Sequence, residues 1–306
     1  MVAYLEMVRA RCGRVETRPY YQAPELRGAP PRLSLLDGEK GQGVYVPLRF
    51  DVARRERFDK QPGQASREPE ARPEDERGQT DVPLAEVLAT PGHLVLIGAA
   101  GCGKTTVLRL VAAVMAGGDA ALAREQLGIE DDNGDGALPI PIYVALRDFE
   151  HACLTRPDQY RRDVDGLLRF LDDHVQRWHP DARIPPGFLA GLVRSGRAWL
   201  LLDALDEVAD FDRRIAVRQV IERLADTFPG VRLLVTARVA AYAAATGANT
   251  RLDERFSVAT VRDLTREQWA PLVERLYAGL EPDGGVSAER ARLLLARIDA
   301  ASALQE

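Results

Sequence analysis

The chain has 306 residues, 46% of them hydrophobic, and a net charge of −5, which is length and apolar content enough for one large domain or two ordinary ones. Its Arg residues are scattered among Asp and Glu, so it lacks the positive field that nucleic acid or an anionic membrane requires, and neither is expected as a direct partner. Cys12, Cys102 and Cys153 are odd in number and far apart, and no basic leader or bilayer-length apolar run (~20 residues) is visible; the expectation is a soluble cytoplasmic protein without disulfides.

In chain order, a short helix is expected over Tyr4 to Arg11 and a strand over Val44 to Leu48. Residues 59–80 are polar and rich in Pro, Glu, Arg, Gly and Gln, and read as a flexible linker or insertion. A short helix follows at Leu84 to Leu88. His93-Leu94-Val95-Leu96-Ile97 is a compact apolar run, expected to be a buried strand, with a Gly-rich turn and a helix from Thr105 to Met115 after it. Further strands are expected at Ile140 to Leu146, whose prolines favour a sheet edge, at Ala198 to Asp203, at Val231 to Thr236, and at Phe256 to Ala259. Helices are expected at 164–177, 187–194, 212–227, 265–279 and 287–303. Apolar strands alternating with helices predict an α/β fold with a parallel five-stranded sheet covered by helices on both faces. The division expected is an N-terminal helix and strand (1–58), the linker (59–80), a core (81–262) and an incomplete C-terminal helical subdomain (263–306).

The most specific motif is Gly98-Ala99-Ala100-Gly101-Cys102-Gly103-Lys104-Thr105, followed by Thr106, which fits G-x-x-x-x-G-K-[ST] in full. Its glycines let backbone N–H groups turn toward phosphate oxygens, and the helix that follows adds its positive end. Lys104 is the candidate for the β- and γ-phosphates, and the Thr105 hydroxyl for a magnesium ion. The pattern implies a nucleoside triphosphate, ATP with Mg²⁺ first, and hence a P-loop NTPase. A dinucleotide loop fails because Thr106 stands where its third glycine belongs. Cys102 reads as a small spacer or as a thiol that the helix end favours as thiolate.

Trp199-Leu200-Leu201-Leu202-Asp203 delivers an acid to the carboxyl edge of the sheet, where ligands bind in open α/β folds. Asp203 is the second candidate for the magnesium shell. Of Asp206 and Glu207, Glu207 in the first place is the candidate to orient or activate the attacking water. Leu233-Leu234-Val235-Thr236-Ala237-Arg238 ends in Thr and Arg, and its strand is expected between those carrying the loop and the acid. Thr236 is then placed to feel the γ-phosphate or the lytic water, and Arg238 to touch the γ-phosphate or latch a neighbouring segment. The acidic run 131–136 has Ile142 where a calcium loop needs Glu, and reads as a solvated turn. His174 and His179 lack further ligands for a metal site.

Asp203, the small Ala204, and the acidic pair Asp206 and Glu207, together with Thr236-x-Arg238, resemble the NACHT family of signalling ATPases, of the STAND class. Val44 to Leu48 is similar to the Y-V-P-L strand that precedes the phosphate loop in many members, and Val261-x-x-Leu264 with a Trp-bearing helix is similar to the start of the family's helical subdomain. The resemblance implies that Val46, Pro47 and Leu48 wall an adenine pocket. It also implies slow ATP hydrolysis to ADP, homo-oligomerisation on activation, and a switch role in defence or innate-immune-like signalling. Effector, winged-helix and repeat-sensor regions are expected outside this chain, as in a fragment or truncated relative. An AAA+-like oligomeric ATPase, which needs a trans-acting Arg and a second sensor, and a non-hydrolysing nucleotide-binding interaction module are the alternatives.

Overall fold

The computed structural model describes residues 1–15, 33–36, 43–52, 79–129, 137–178, 184–242, 251–280 and 284–302. The acidic run 131–136, His179 and most of the stretch 59–80 lie outside the described residues. Among the described residues there are seven strands: β1 (Arg49–Val52), β2 (Gln79–Pro83), β3 (His93–Gly98), β4 (Ile140–Ala145), β5 (Ala198–Asp203), β6 (Arg232–Arg238) and β7 (Phe256–Val261). They form one sheet in the order β2-β1-β7-β3-β6-β5-β4. The ladders joining β7, β3, β6, β5 and β4 are all parallel. β1 pairs antiparallel with β7, and β2 antiparallel with β1.

The sheet is therefore mixed and seven-stranded, not a five-stranded parallel sheet. The expected strand over Val44 to Leu48 is absent; its place in the ladder is taken by Arg49–Val52. Pro47 has no N–H to give a ladder. The N–H groups of Val44 and Tyr45 donate instead to the carbonyls of Ser34 and Leu35, at 2.9 and 3.1 Å. β2 begins at Gln79, inside the stretch that composition reads as linker. This end of the sheet is charged: Arg262 lies 3.3 Å from Asp81 and 3.8 Å from Asp51, a means by which edge strands resist further pairing.

Apolar content explains the rest of the sheet. Every side chain of β5 is buried, and because successive side chains point to opposite faces, both faces are covered there. β4 stands at the sheet's edge, where Pro141 forfeits no ladder bond. β6 lies between β3 and β5, so the ends of these three strands share one edge.

The helices are α1 (Val2–Cys12), α2 (Leu84–Ala89), α3 (Lys104–Gly117), α4 (Ala120–Leu127), α5 (Leu146–Thr155), α6 (Val164–Trp178), α7 (Phe188–Arg194), α8 (Phe211–Thr227), α9 (Val239–Tyr242), α10 (Arg266–Leu280) and α11 (Gly284–Ser302). α3 is buried from Val107 to Ala116 except at Arg109, and packs on α1 and on four strands. α1 is also tied to β4, where the Tyr4 hydroxyl donates to the Pro141 carbonyl at 2.8 Å. α5 to α8 pack on one another. Within that group the buried Glu150 carboxylate accepts two bonds from Arg162, at 2.6 and 2.7 Å, which compensates its desolvation.

α4 and α5 were not expected from the sequence. α4 is started by Asp119, whose carboxylate accepts from the N–H groups of Ala121 and Leu122 at 3.0 Å. α5 takes Leu146 from the expected strand, because Leu146, Phe149 and Cys153 recur at helical spacing on a buried face. α10 and α11 pack together as a helical pair. The Gln268 side chain caps the start of α10 by accepting from the Thr265 N–H at 2.9 Å. No helix among the described residues is long and apolar enough to cross a membrane.

Candidate functional site

The loop between β3 and α3 has the backbone its glycines were expected to allow. Gly101 and Gly103 adopt φ of 79° and 97°, a region that a side chain disfavours. A Cβ on Gly98 would lie 2.5 Å from the Cys102 sulfur, and one on Gly103 would lie 2.9 Å from a Leu48 methyl group. Gly103→Ala thus combines a strained φ with a forced shift of Leu48. It is expected to destabilise the fold by ~1–2 kcal/mol, the cost of the left-handed backbone, as read by the thermal midpoint of the variant.

The Lys104 ammonium lies across the loop and donates to the carbonyls of Gly98 and Ala99 at 3.0 and 2.6 Å, with the Cys102 sulfur at 3.6 Å. All three cysteines are free thiols, Cys12 and Cys153 buried and Cys102 half-buried. Burial pushes the Cys12 and Cys153 thiols up to about 11, so both are protonated near neutral pH.

Asp203, buried at the end of β5, is the hub of the polar half of the site. Its Oδ1 accepts from the hydroxyls of Thr105 at 3.1 Å and Thr236 at 2.6 Å, and its Oδ2 accepts from the Tyr143 hydroxyl at 2.7 Å. Burial and the neighbouring Asp203 carboxylate raise the Tyr143 pKa well above the usual phenol value, so this hydroxyl remains a donor. Thr236 also accepts from the Ala204 N–H at 2.7 Å. Its one hydroxyl proton is committed to Asp203, which leaves none for a phosphate oxygen. In the structure Thr236 holds Asp203 and the turn that follows. In that turn Ala204 takes a left-handed conformation, φ 58° and ψ 61°, tolerated by a small side chain and by the bond from Thr236.

The acidic pair separates in role. The Asp206 side chain is mostly buried and is gripped twice by Arg238, through the backbone N–H at 3.0 Å and Nε at 2.9 Å. Glu207 is more exposed and pairs with Arg147 at 2.9 Å. Arg147, Tyr143 and the conformation of Ala204 were not singled out from the sequence. A Tyr inside an apolar strand reads as packing, yet its hydroxyl must find a partner when buried.

A polar cavity of about 200 Å³ is lined by Ala100, Lys104, Thr105 and the ends of β5 and β6 from Asp203 to Arg238. Beside it lies a more apolar cavity of about 320 Å³, walled by Val44, Tyr45, Val46, Leu48, Leu264, Leu272 and Leu276, with Arg109 at its side. Gly101, Gly103 and Thr106 line both. Of the three residues expected to wall an adenine pocket, Val46 and Leu48 line this cavity and Pro47 does not. It is exposed, and its carbonyl accepts from Gln268 of α10 at 2.6 Å. Alternation along the extended segment turns Val46 and Leu48 inward and Pro47 outward. Arg275 adds a bond to the Tyr45 carbonyl at 3.0 Å, so α10 is fastened to the cavity wall. A larger cavity, about 630 Å³, opens by His93, Trp199 and Arg232 at the opposite ends of the same strands, away from the edge where open α/β sheets bind ligands. Among the described residues no group of three or more His, Cys, Asp or Glu side chains is arranged to hold a metal.

A Gly-rich loop opening onto a helix, with an acid two strands away on the same sheet edge, is the architecture of a P-loop NTPase. More narrowly, a model of the NACHT domain family matches residues 93–278, more than half of the chain, and the chain belongs to that family. Among curated proteins none matches the sequence. Among solved structures, the chain is similar to the Aeropyrum pernix ORC1 protein in complex with DNA, at 23% identity and TM-score 0.39, over 69% of this chain and 52% of that one. It is similar to a DNA replication initiation factor at 15% identity and TM-score 0.37, over 68% and 52%. It is also similar to domain III of the Thermotoga maritima replication initiation protein DnaA, at 12% identity and TM-score 0.34, over 66% and 71%. The chain spans about half the length of the first two of these.

Proposed function

We propose that this chain is a NACHT-type switch module that binds a magnesium-bound nucleoside triphosphate, ATP in the first place, and hydrolyses it slowly to ADP. The observation that carries the reading is the adjacent pair of cavities, a polar one at the phosphate loop and an apolar one beside it, both lined by Gly101, Gly103 and Thr106. Such a pair suits a ligand with an anionic tail and a flat apolar head.

The residues fit magnesium by the chemistry of their donors. The Thr105 hydroxyl and the Asp203 carboxylate lie 3.1 Å apart, an all-oxygen pair of the kind a hard cation takes, and they are the residues that would hold it. When bound, the ion supplies positive charge to the phosphate oxygens. The loop N–H groups and Lys104 bind the phosphates, Glu207 accepts the proton of the attacking water, and Asp206 holds Arg238 at the γ-phosphate edge. Val46, Leu48 and Tyr45 receive the base, and Leu264, Leu272 and Leu276 close over it from the helical side.

α10 lines the base cavity and grips the segment at 43–48, so an occupied site holds the helical pair against the core. The switch proposed adds that loss of the γ-phosphate loosens this hold, a step the base contact alone does not supply, since the base is common to ATP and ADP. The division into a core at 81–262 and a helical subdomain at 263–306, a cytoplasmic setting, oligomerisation on activation, and effector or sensor partners on other segments or chains belong to the same proposal. Calorimetry on well-folded protein should give heat with Mg-ATP; none with any Mg-nucleotide would end the reading. Hydrogen exchange across Arg266–Leu280 is expected to slow with the β,γ-imido analogue of ATP relative to ADP. Equal exchange in both states would remove the switch while leaving binding in place.

A further inference from the structure

Asp203 receives three hydroxyl groups, and they are not equivalent. Thr105 and Thr236 both reach Oδ1, whereas Tyr143 reaches Oδ2. The last torsion of an aspartate is soft, so a carboxylate held by one oxygen can turn about it. A bond to the second oxygen fixes its plane. Tyr143 stands on β4 in register with Leu201, two residues before the partner of Asp203, so the two side chains share a face. Tyr143 is nearly buried, and the Arg109 guanidinium sits 5.9 Å from its ring centroid. The strand that carries it is tied to α1 through Tyr4 and Pro141. The phenol is thus braced from its own strand, from α3 and from α1.

We propose that Tyr143 is a positioning residue for the divalent cation: its hydroxyl fixes the Asp203 carboxylate so that Oδ1 stays turned to the Thr105 hydroxyl. This rests on the magnesium-nucleotide reading above. Groups that orient a metal ligand in this way change metal affinity by ~10–100-fold when removed.

Tyr143→Phe keeps the ring and its packing and removes only the donor. The test is titration calorimetry of wild type and Tyr143→Phe with the β,γ-imido analogue of ATP, in Mg²⁺ and again in EDTA. For wild type, Mg²⁺ should tighten binding. For Tyr143→Phe, affinity in EDTA should equal that of wild type, while the enhancement by Mg²⁺ falls by about tenfold or more. An unchanged enhancement in the variant overturns the proposal. An equal loss in Mg²⁺ and in EDTA also overturns it, because Tyr143 then serves packing alone. Wild type that binds equally with and without Mg²⁺ overturns it while leaving nucleotide binding intact. Wild type that binds nothing removes the functional reading and this inference together.

Discussion

Lys104→Ala is expected to abolish measurable binding of Mg-nucleotide. The ammonium is the single cation of the loop, and its donors already converge on one place, at 3.0 Å from the Gly98 carbonyl and 2.6 Å from that of Ala99. An ammonium has three N–H groups, so it can meet phosphate oxygens from the same position. A hydrogen bond to a charged group contributes ~1.5–3 kcal/mol, and two to phosphate oxygens give ~3–6 kcal/mol. At 1.4 kcal/mol per decade the loss in affinity is then about 10²–10⁴-fold. Lys104 also helps to hold the loop carbonyls, and for that reason the thermal midpoint of the variant without nucleotide is measured alongside. A midpoint close to wild type with binding lost places the effect on the ligand. Affinity retained within about threefold, less than ~1 kcal/mol, would show that phosphate is not held here.

The parts of this site that were legible in the sequence are those where one residue type serves one purpose. Gly101 and Gly103 were readable because only glycine adopts their φ without strain. β3, β5 and β6 were readable because burial on both faces demands continuous apolar runs, and the acid that interrupts such a run at Asp203 stands out. The edge position of β4 was readable from its prolines. β1 and β2 were not: each is short, half-exposed and charged, and they pair across residues 53–78, so no local pattern announces them. The partners of Tyr143 and Thr236 were not legible, because a hydroxyl in an apolar strand does not declare its partner; that depends on which strands become neighbours. In the sequence Leu264 is only the end of Val261-x-x-Leu264, and Leu272 and Leu276 lie within the helix expected at 265–279. Only the fold shows that the same side chains wall a cavity at the phosphate loop.

Glu207→Gln is expected to keep nucleotide affinity and to lose about 10²–10⁴-fold in turnover, the usual contribution of a general base, equivalent to ~2.7–5.4 kcal/mol of barrier. Two observations choose Glu207 over Asp206. The Asp206 carboxylate is mostly buried and both its oxygens face Arg238, so a proton taken there would cost it two charge-assisted bonds. Glu207 is also paired, with Arg147 at 2.9 Å, but these side chains are 36% and 62% exposed, and such a pair contributes only ~0–1 kcal/mol. Glu207 is therefore cheap to release toward the polar cavity that it lines. The amide of Gln keeps the size and a bond to Arg147 but has no basic oxygen. Asp206→Asn serves as the contrast: it is expected to disturb Arg238 and hence weaken the triphosphate relative to ADP, an effect on affinity that Glu207→Gln should not share. Phosphate release measured at saturating Mg-ATP separates the two. Equal rates for wild type and Glu207→Gln would take the base role from Glu207, and a loss confined to Asp206→Asn would move it to Asp206.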